Sequence, residues 1–344
     1  MTPSLLGWTE RLATAWSHEH PSPPFSLDPA LPRAARVVAL HRGETIVHDT
    51  RGEVHVPDPA TNTLALAVGD WVVLDPTRIV SVLPRSGALT RKEAGGTNRT
   101  QVLAANLDRV FIVTSANQDL EPRRLDRMIA VAFEAGAQPV VVVSKADLDP
   151  NIDVATLSER LAGVPVVAVH TRDEAGIAPL LPYLRPGETA MLLGTSGVGK
   201  STLLNHLAGE VRQQVRAIRA HDDRGLHTTT HRELFLLPGD RGMLIDAPGI
   251  RELALGLATE GLERTFADIH ALAAGCRFED CGHSNEPACA VRAAIEDGTL
   301  DPERLASFRT LLVEQAVVVR REDPRTRHEG RRKARRRKLN ADGF

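Results

Sequence analysis

The sequence predicts a multidomain chain: an N-terminal all-β barrel of OB type, a central α/β P-loop domain with its motifs in circularly permuted order, and a C-terminal, mostly α domain carrying a Cys/His metal cluster. Three observations carry this reading. Short β-type runs separated by turn signals crowd residues 33–92. From Asp108 onward, apolar runs of strand length alternate with helical stretches. Every cysteine of the chain falls between Cys276 and Cys289.

A length of 344 residues fits two or three domains at about 100–200 residues each. The divisions are a leader at 1–32, the barrel at 33–98, the α/β domain at 99–260, the metal-binding helical domain at 261–319 and a basic tail at 320–344. Net charge is only −2, but residues 320–338 hold eleven Lys/Arg against three acidic residues, so the remainder is strongly negative. A basic tail on an acidic body suits a polyanionic partner. No apolar run reaches the roughly 18–20 residues that span a bilayer. Glu10, Arg11 and Glu19 interrupt any basic-then-apolar signal pattern. A cytoplasmic monomer with no membrane association is the expectation.

The leader is Pro-rich toward its end (Pro21, Pro23, Pro24, Pro29, Pro32), with a short helix up to Trp16. Strands are expected at 36–40, 45–48, 53–56, 70–74 and 79–83, broken by turns such as Arg42-Gly43 and Arg51-Gly52. Five short strands in so few residues indicate a small barrel. Its single aromatic, Trp71, lies in a strand and is assigned to the core, so phosphate and shape contacts, rather than base stacking, are expected of this barrel toward RNA. The α/β domain offers strands at 110–113, 140–143, 164–169, 190–193, 234–237 and 243–245. A helix at 124–135 carries Leu125, Met128, Ile129 and Ala132 on one face. Continuous apolar strands alternating with helices specify a buried, mostly parallel sheet. Asp301-Pro302 caps a helix running to about Val319.

Gly194-Thr195-Ser196-Gly197-Val198-Gly199-Lys200-Ser201, followed by Thr202, fits the phosphate-loop pattern at every required position, between a strand and a helix. The glycines let backbone N–H groups point at phosphate oxygens. The helix N-terminus adds a favourable partial charge. Lys200 is placed to reach the β- and γ-phosphates and Ser201 to ligate Mg²⁺. Asp246-Ala247-Pro248-Gly249 follows a strand 45 residues after Ser201. Asp246 is the magnesium-side carboxylate, and Gly249 leaves its N–H free for the γ-phosphate. Thr228, Thr229 and Thr230 lie in the intervening loop, where a hydroxyl completes Mg²⁺ coordination when the γ-phosphate is present; spacing does not single out which. Ile250 stands where many GTPases place a water-orienting Gln, and His227 is the candidate to take over that role.

Ser144-Lys145-Ala146-Asp147 ends a strand and resembles the N-K-x-D motif of GTPases. Asp147 can accept both N1–H and N2–H₂ of guanine, and Lys145 lies along base and ribose. Ser144 replaces the usual Asn and is expected to be too short to bridge base and loop as an amide does. This motif precedes the phosphate loop by fifty residues, whereas in ordinary GTPases it follows. Assigning strands 110–113, 140–143 and 164–169 to the second half of the sheet, and the later three to the first half, reconciles the order. Joined old ends and a cut after the Asp246 loop give this chain.

On these motifs the chain resembles the family of small-ribosomal-subunit-dependent GTPases A (RsgA, also called YjeQ). The resemblance runs from about Arg33 to Val319 and includes Val68-Gly69-Asp70-Trp71-Val72, the segment 101–108, Gly225-Leu226-His227-Thr228-Thr229-Thr230 and the Cys/His cluster. It implies an OB-fold, a circularly permuted GTPase domain and a zinc domain. It also implies GTP-dependent binding to the small ribosomal subunit and its rRNA during late maturation. Ser144 departs from the family pattern, as does Val169-His170-Thr171, where a Ser-Ala pair usually backs the guanine.

Cys276-x4-Cys281-x-His283-x5-Cys289 offers three sulfurs and one imidazole within fourteen residues. That closes a tetrahedral Zn²⁺ site of structural type. The permutation sets the Asp246 loop almost directly upstream of the metal-binding domain, so a γ-phosphate-dependent movement of the loop is expected to reach Cys276–Cys289 and the helix beyond. Two other readings compete: a P-loop kinase or ATPase acting on a small molecule, against which Asp147 and the Thr run argue, and an RNA-interacting zinc protein whose loop binds nucleotide with little turnover.

Overall fold

The computed structural model describes residues 2–26, 28, 30–57, 64–92, 100–116, 120–149, 151–173, 175–209, 232–246 and 259–322. They form two compact units, Met1–Leu255 and Gly256–Phe344.

In the first unit, helix α1 (Glu10–Glu19) is capped by the Thr9 hydroxyl and buries Leu12 and Trp16. The five strands expected next are present: β1 (Arg33–His41), β2 (Glu44–Asp49), β3 (Gly52–Pro57), β4 (Trp71–Asp75) and β5 (Arg78–Val82). All their pairings are antiparallel, β1 with β2 and β4, β2 with β3, and β4 with β5. Trp71 is fully buried, and Trp8 and Phe25 of the leader meet its ring edge-on. The leader therefore closes the core of the β-domain. Strands β6 (Ala88–Lys92) and β7 (Thr100–Ala105) pair as a separate hairpin. The boundary drawn at 98/99 falls between these two partners, a pairing that local patterning did not reveal.

The α/β part holds β8 (Arg109–Ser115), α2 (Pro122–Glu134), β9 (Gln138–Ser144), α3 (Val154–Arg160), β10 (Val166–Ala168), β11 (Thr189–Leu193), α4 (residues 200–209), β12 (Glu233–Leu236) and β13 (Met243–Asp246). Sheet order is β10-β9-β8-β11-β13-β12. The first five strands are mutually parallel, and only β12 runs against its neighbour. The chain-early strands β8–β10 thus form one half of the sheet and β11–β13 the other, as the permuted reading requires. Phe111, Val113, Val140 and Val142 pack with Leu203, Leu204 and Leu207 of α4. Their alternates Val110, Ile112, Val141 and Val143 are equally buried, so both faces are covered.

The sheet does not stop at β12. Ala39 of β1 pairs antiparallel with Glu233, which makes the β-domain a continuation of the α/β sheet and removes an exposed edge. Arg36, fully buried on β1, fastens this junction. It donates to the Leu6 carbonyl, to Thr189 Oγ1 at 2.8 Å and to the Asn106 carbonyl at 3.4 Å, and its guanidinium lies 5.8 Å from the Trp71 ring centre. Burial pushes its pKa down to about 10, against the opposing pull of Asp108 and Asp70, so it stays charged at neutral pH.

In the second unit, α5 (Thr259–Thr265), α6 (Ala267–Ala273), α7 (Ala290–Glu296) and α8 (Pro302–Glu322) surround Phe266 and Phe308, whose rings lie 5.1 Å apart. Asp301 accepts the Glu303 N–H at 2.8 Å, the cap expected from Asp301-Pro302. Buried Arg304 bonds both Asp268 oxygens and lies 4.4 Å from the Phe266 ring centre.

Replacing Arg36 by Ala removes the guanidinium that donates to two carbonyls and a buried hydroxyl. The expected cost is about 3 kcal/mol. The thermal midpoint followed by circular dichroism is expected to fall by roughly 6–12 °C.

Candidate active site and metal centre

Five parallel strands deliver their carboxyl ends to one edge, where ligands bind in such sheets. Residues 194–201 leave β11 at this edge. Gly194 has φ +150°, and a Cβ there would stand 2.2 Å from the Val113 carbonyl oxygen, so only glycine lets the loop pass this close to β8. Gly197 and Gly199 also take positive φ, at +87° and +95°. Lys200 Nζ folds over its own loop, donating to the Gly194 carbonyl at 2.7 Å and to that of Thr195. Helix α4 starts at residue 200, with Ser201 and Thr202 exposed at its first turn.

The base-motif residues arrive from β9. Ser144 pairs with Ser115 at the end of β8. Its hydroxyl lies 2.9 Å from the Thr114 carbonyl and 2.5 Å from that of Val198, with one proton to share between them. The strand end approaches the loop closely enough that a serine hydroxyl reaches it. Lys145 has φ +56°, and its Nζ donates to the Gly197 carbonyl at 3.0 Å. Two of the three motif side chains thus contact the phosphate loop that follows fifty residues later.

Asp147 sits in the short 3-10 turn after β9, and one of its oxygens receives Arg172 at 2.6 Å. Sequence reasoning did not find Arg172, although it directly follows the odd Val169-His170-Thr171 segment. A carboxylate has about four acceptor positions, so one such contact leaves room for a base edge. The Ala146 N–H bonds the Val169 carbonyl, which ties this turn to the segment. The His170 ring occupies the space that a Cβ on Gly176 would need, 2.3 Å from Nδ1.

Asp246 ends β13, one residue past the Ile245–Met191 pair, so it stands beside β11 where that strand turns into the phosphate loop. His227, Thr228, Thr229, Thr230 and Gly249 lie outside the described residues, as does the tail from residue 323.

In the second unit, Cys276, Cys281, His283 and Cys289 bring their ligand atoms within 4.8 Å of one another. Cys276 and Cys289 sulfurs are 3.8 Å apart, and His283 Nδ1 is 3.6 Å and 3.5 Å from them. A tetrahedron with Zn–S of about 2.3 Å and Zn–N of about 2.0 Å has edges of roughly 3.8 Å between sulfurs and 3.5 Å between sulfur and nitrogen. The cluster fits a zinc ion. Burial opposes ionisation of Cys276, but hydrogen bonds from the backbone N–H groups of Val291 and Ala290 at the start of α7, together with those from Cys289 and Cys281, hold the thiol below its ordinary value. Burial, then the charge of Arg309, keeps His283 below its ordinary value, toward the neutral ligand form. Glu286 accepts the N–H groups of Gly282, Ser284 and Asn285, and Arg309 donates to the His283 carbonyl at 2.6 Å, so the ligand loop is fixed from both sides.

The family model described as RsgA GTPase matches residues 82–256. A small ribosomal subunit biogenesis GTPase RsgA from Opitutus terrae is 44% identical, over 94% of this chain and 92% of that protein. The crystal structure of YjeQ from Thermotoga maritima superposes with a TM-score of 0.61 at 27% identity, covering 83% of this chain and 99% of that one. YloQ, described as a circularly permuted GTPase, shares the fold with the same TM-score at 23% identity, covering 85% and 97%. With the sheet order and the loop at its carboxyl edge, these likenesses place the chain in the RsgA GTPase family.

Proposed function

We propose that this chain hydrolyses GTP and acts in biogenesis of the small ribosomal subunit, binding that subunit and its rRNA and leaving it on hydrolysis. One observation supports it above all: Ser144 and Lys145 of the base motif touch the phosphate loop at Val198 and Gly197, at the sheet edge that also carries Asp246. Asp147 would accept guanine N1–H and N2–H₂, with Lys145 along the base. Backbone N–H groups of 194–199 and the start of α4 would hold the phosphates, and Lys200 would neutralise the β- and γ-oxygens. Ser201, Asp246 and one of Thr228–Thr230 would be the residues to hold Mg²⁺, and the Gly249 N–H would be a donor to the γ-phosphate. The ion supplies charge neutralisation on the phosphate oxygens. His227 positions the attacking water, since Ile250 has no group to do so.

The domain reading that goes with this function has the β1–β5 strands as an OB-type barrel and residues 261–319 as a zinc domain. The barrel's arginines would meet rRNA phosphates, and the tail at 320–344 would add salt-sensitive affinity. Among the described residues no helix is long and apolar enough to cross a membrane.

Phosphate release with and without purified small subunits tests the central claim. The expected result is GTP-specific turnover that rises several-fold or more with subunits, and that falls in His227→Ala without a matching loss of GTP affinity. An equal rate with and without subunits would overturn the ribosomal assignment. Gly194→Ala should cut binding of a fluescent GDP analogue by at least about tenfold, because the added methyl collides with the Val113 carbonyl; a wild-type titration curve refutes the loop's close approach. Elemental analysis should find one zinc per chain, and Cys289→Ser should lower both zinc content and thermal stability.

A further inference from the structure

An amide in place of Ser144 would bridge the base and a neighbouring loop, but the Ser144 hydroxyl is engaged elsewhere, at the carbonyls of Thr114 and Val198. The loop after β10 is nevertheless tied to the base motif. The Val169 N–H bonds the Val143 carbonyl at 2.8 Å, and the Val169 carbonyl accepts the Ala146 N–H at 3.1 Å. The His170 N–H reaches the Gly176 carbonyl, and Asp173 Oδ1 accepts the Gly176 N–H, so the loop closes on itself. Among the described residues its side-chain link to the motif is Arg172, 2.6 Å from Asp147 Oδ2.

The Asp147 side chain is only 18% exposed, and a base seated against it removes more of its water. Guanine carries no net charge, so a carboxylate covered by it needs a cation from the protein. Lys145 is not that cation, because its ammonium is turned onto the Gly197 carbonyl. Arg172 takes one of about four acceptor positions on the carboxylate, and guanine N1–H and N2–H₂ need two, so ion pair and base are compatible. The guanidinium is largely exposed, and a pair of this kind adds little to the stability of the free protein. Its effect falls on binding. A carboxylate already fixed in direction loses less freedom when two N–H groups must meet both of its oxygens.

We propose that Arg172 is the positioning residue for guanine recognition: it orients Asp147, balances its charge beneath the base, and supplies the link between loops that Ser144 does not make. The proposal rests on the reading of Asp147 as the guanine acceptor.

The test is calorimetric titration of wild type, Arg172→Ala and Arg172→Lys with GDP, with inosine diphosphate, which lacks the 2-amino group, and with ADP. Arg172→Ala is expected to weaken GDP binding by about three- to tenfold. It should weaken inosine diphosphate less, since that base offers Asp147 one N–H instead of two, so the preference for GDP narrows. Arg172→Lys, which keeps the charge and loses the planar fork, should fall between wild type and Arg172→Ala. In GTP turnover KM should rise with kcat unchanged, and the thermal midpoint of the free protein should stay at the wild-type value. Unchanged GDP affinity in Arg172→Ala would overturn the proposal. Tighter GDP binding would overturn it too, because Arg172 would then be masking Asp147. Equal losses for GDP and inosine diphosphate, or a lowered midpoint, would reduce Arg172 to a brace of its loop. Wild type binding GDP no more tightly than ADP would instead sink the guanine reading on which the proposal stands.

Discussion

The parallel pairing of β8 with β11 is the contact on which the nucleotide site depends. It joins the chain-early half of the sheet, which ends in Ser144 and Asp147, to the chain-late half, which ends in the phosphate loop and Asp246. The register runs from Ala190 opposite Arg109 to Leu193 opposite Ile112. At its foot the Asp108 carboxylate accepts the Thr189 N–H at 2.7 Å, and the Asp108 N–H reaches the Thr189 carbonyl at 2.9 Å. At its head Gly194 lies against Val113. A one-residue slip would move the loop by about 3.3 Å along the sheet and part it from Ser144 and Lys145.

Seen from this seam, circular permutation is a change of connection and not of architecture. Strand order, direction and the edge at which ligands gather are properties of the sheet, and they are indifferent to where the chain begins. What the permutation alters is the neighbourhood of the ends. Strand β12 lies at the margin of the α/β layer, and there β1 adds to it. The β-domain and the nucleotide-binding sheet are thus joined through backbone hydrogen bonds and through Arg36, which reaches Leu6, Asn106 and Thr189 from one position.

Positive charge gathers at the phosphate loop. Lys145 and Lys200 lie over the phosphate loop, held by carbonyls of that loop. In the other unit the Cys/His cluster stands beside the core built around Phe266 and Phe308. Its sulfurs and imidazole are already spaced as a bound zinc ion needs, with Glu286 and Arg309 holding the ligand loop.

The phosphate loop, the Asp147 motif, the Cys/His cluster, the five early strands and the six strands of the sheet were legible in the sequence. In each case the chemistry is local: a glycine where φ turns positive, a hydroxyl after a lysine, ligands a few residues apart, an apolar run of one strand's length. The permuted sheet order also followed, because motif order alone demands it. Other features were decided only by tertiary structure: the β6–β7 pairing across an apparent domain boundary, the β1–β12 junction, the burial of Arg36, the reach of Ser144 to Val198 and the pairing of Arg172 with Asp147. Each joins segments whose separation in sequence carries no pattern, and each depends on the register and closeness of packed backbones, quantities fixed only when the whole sheet is assembled.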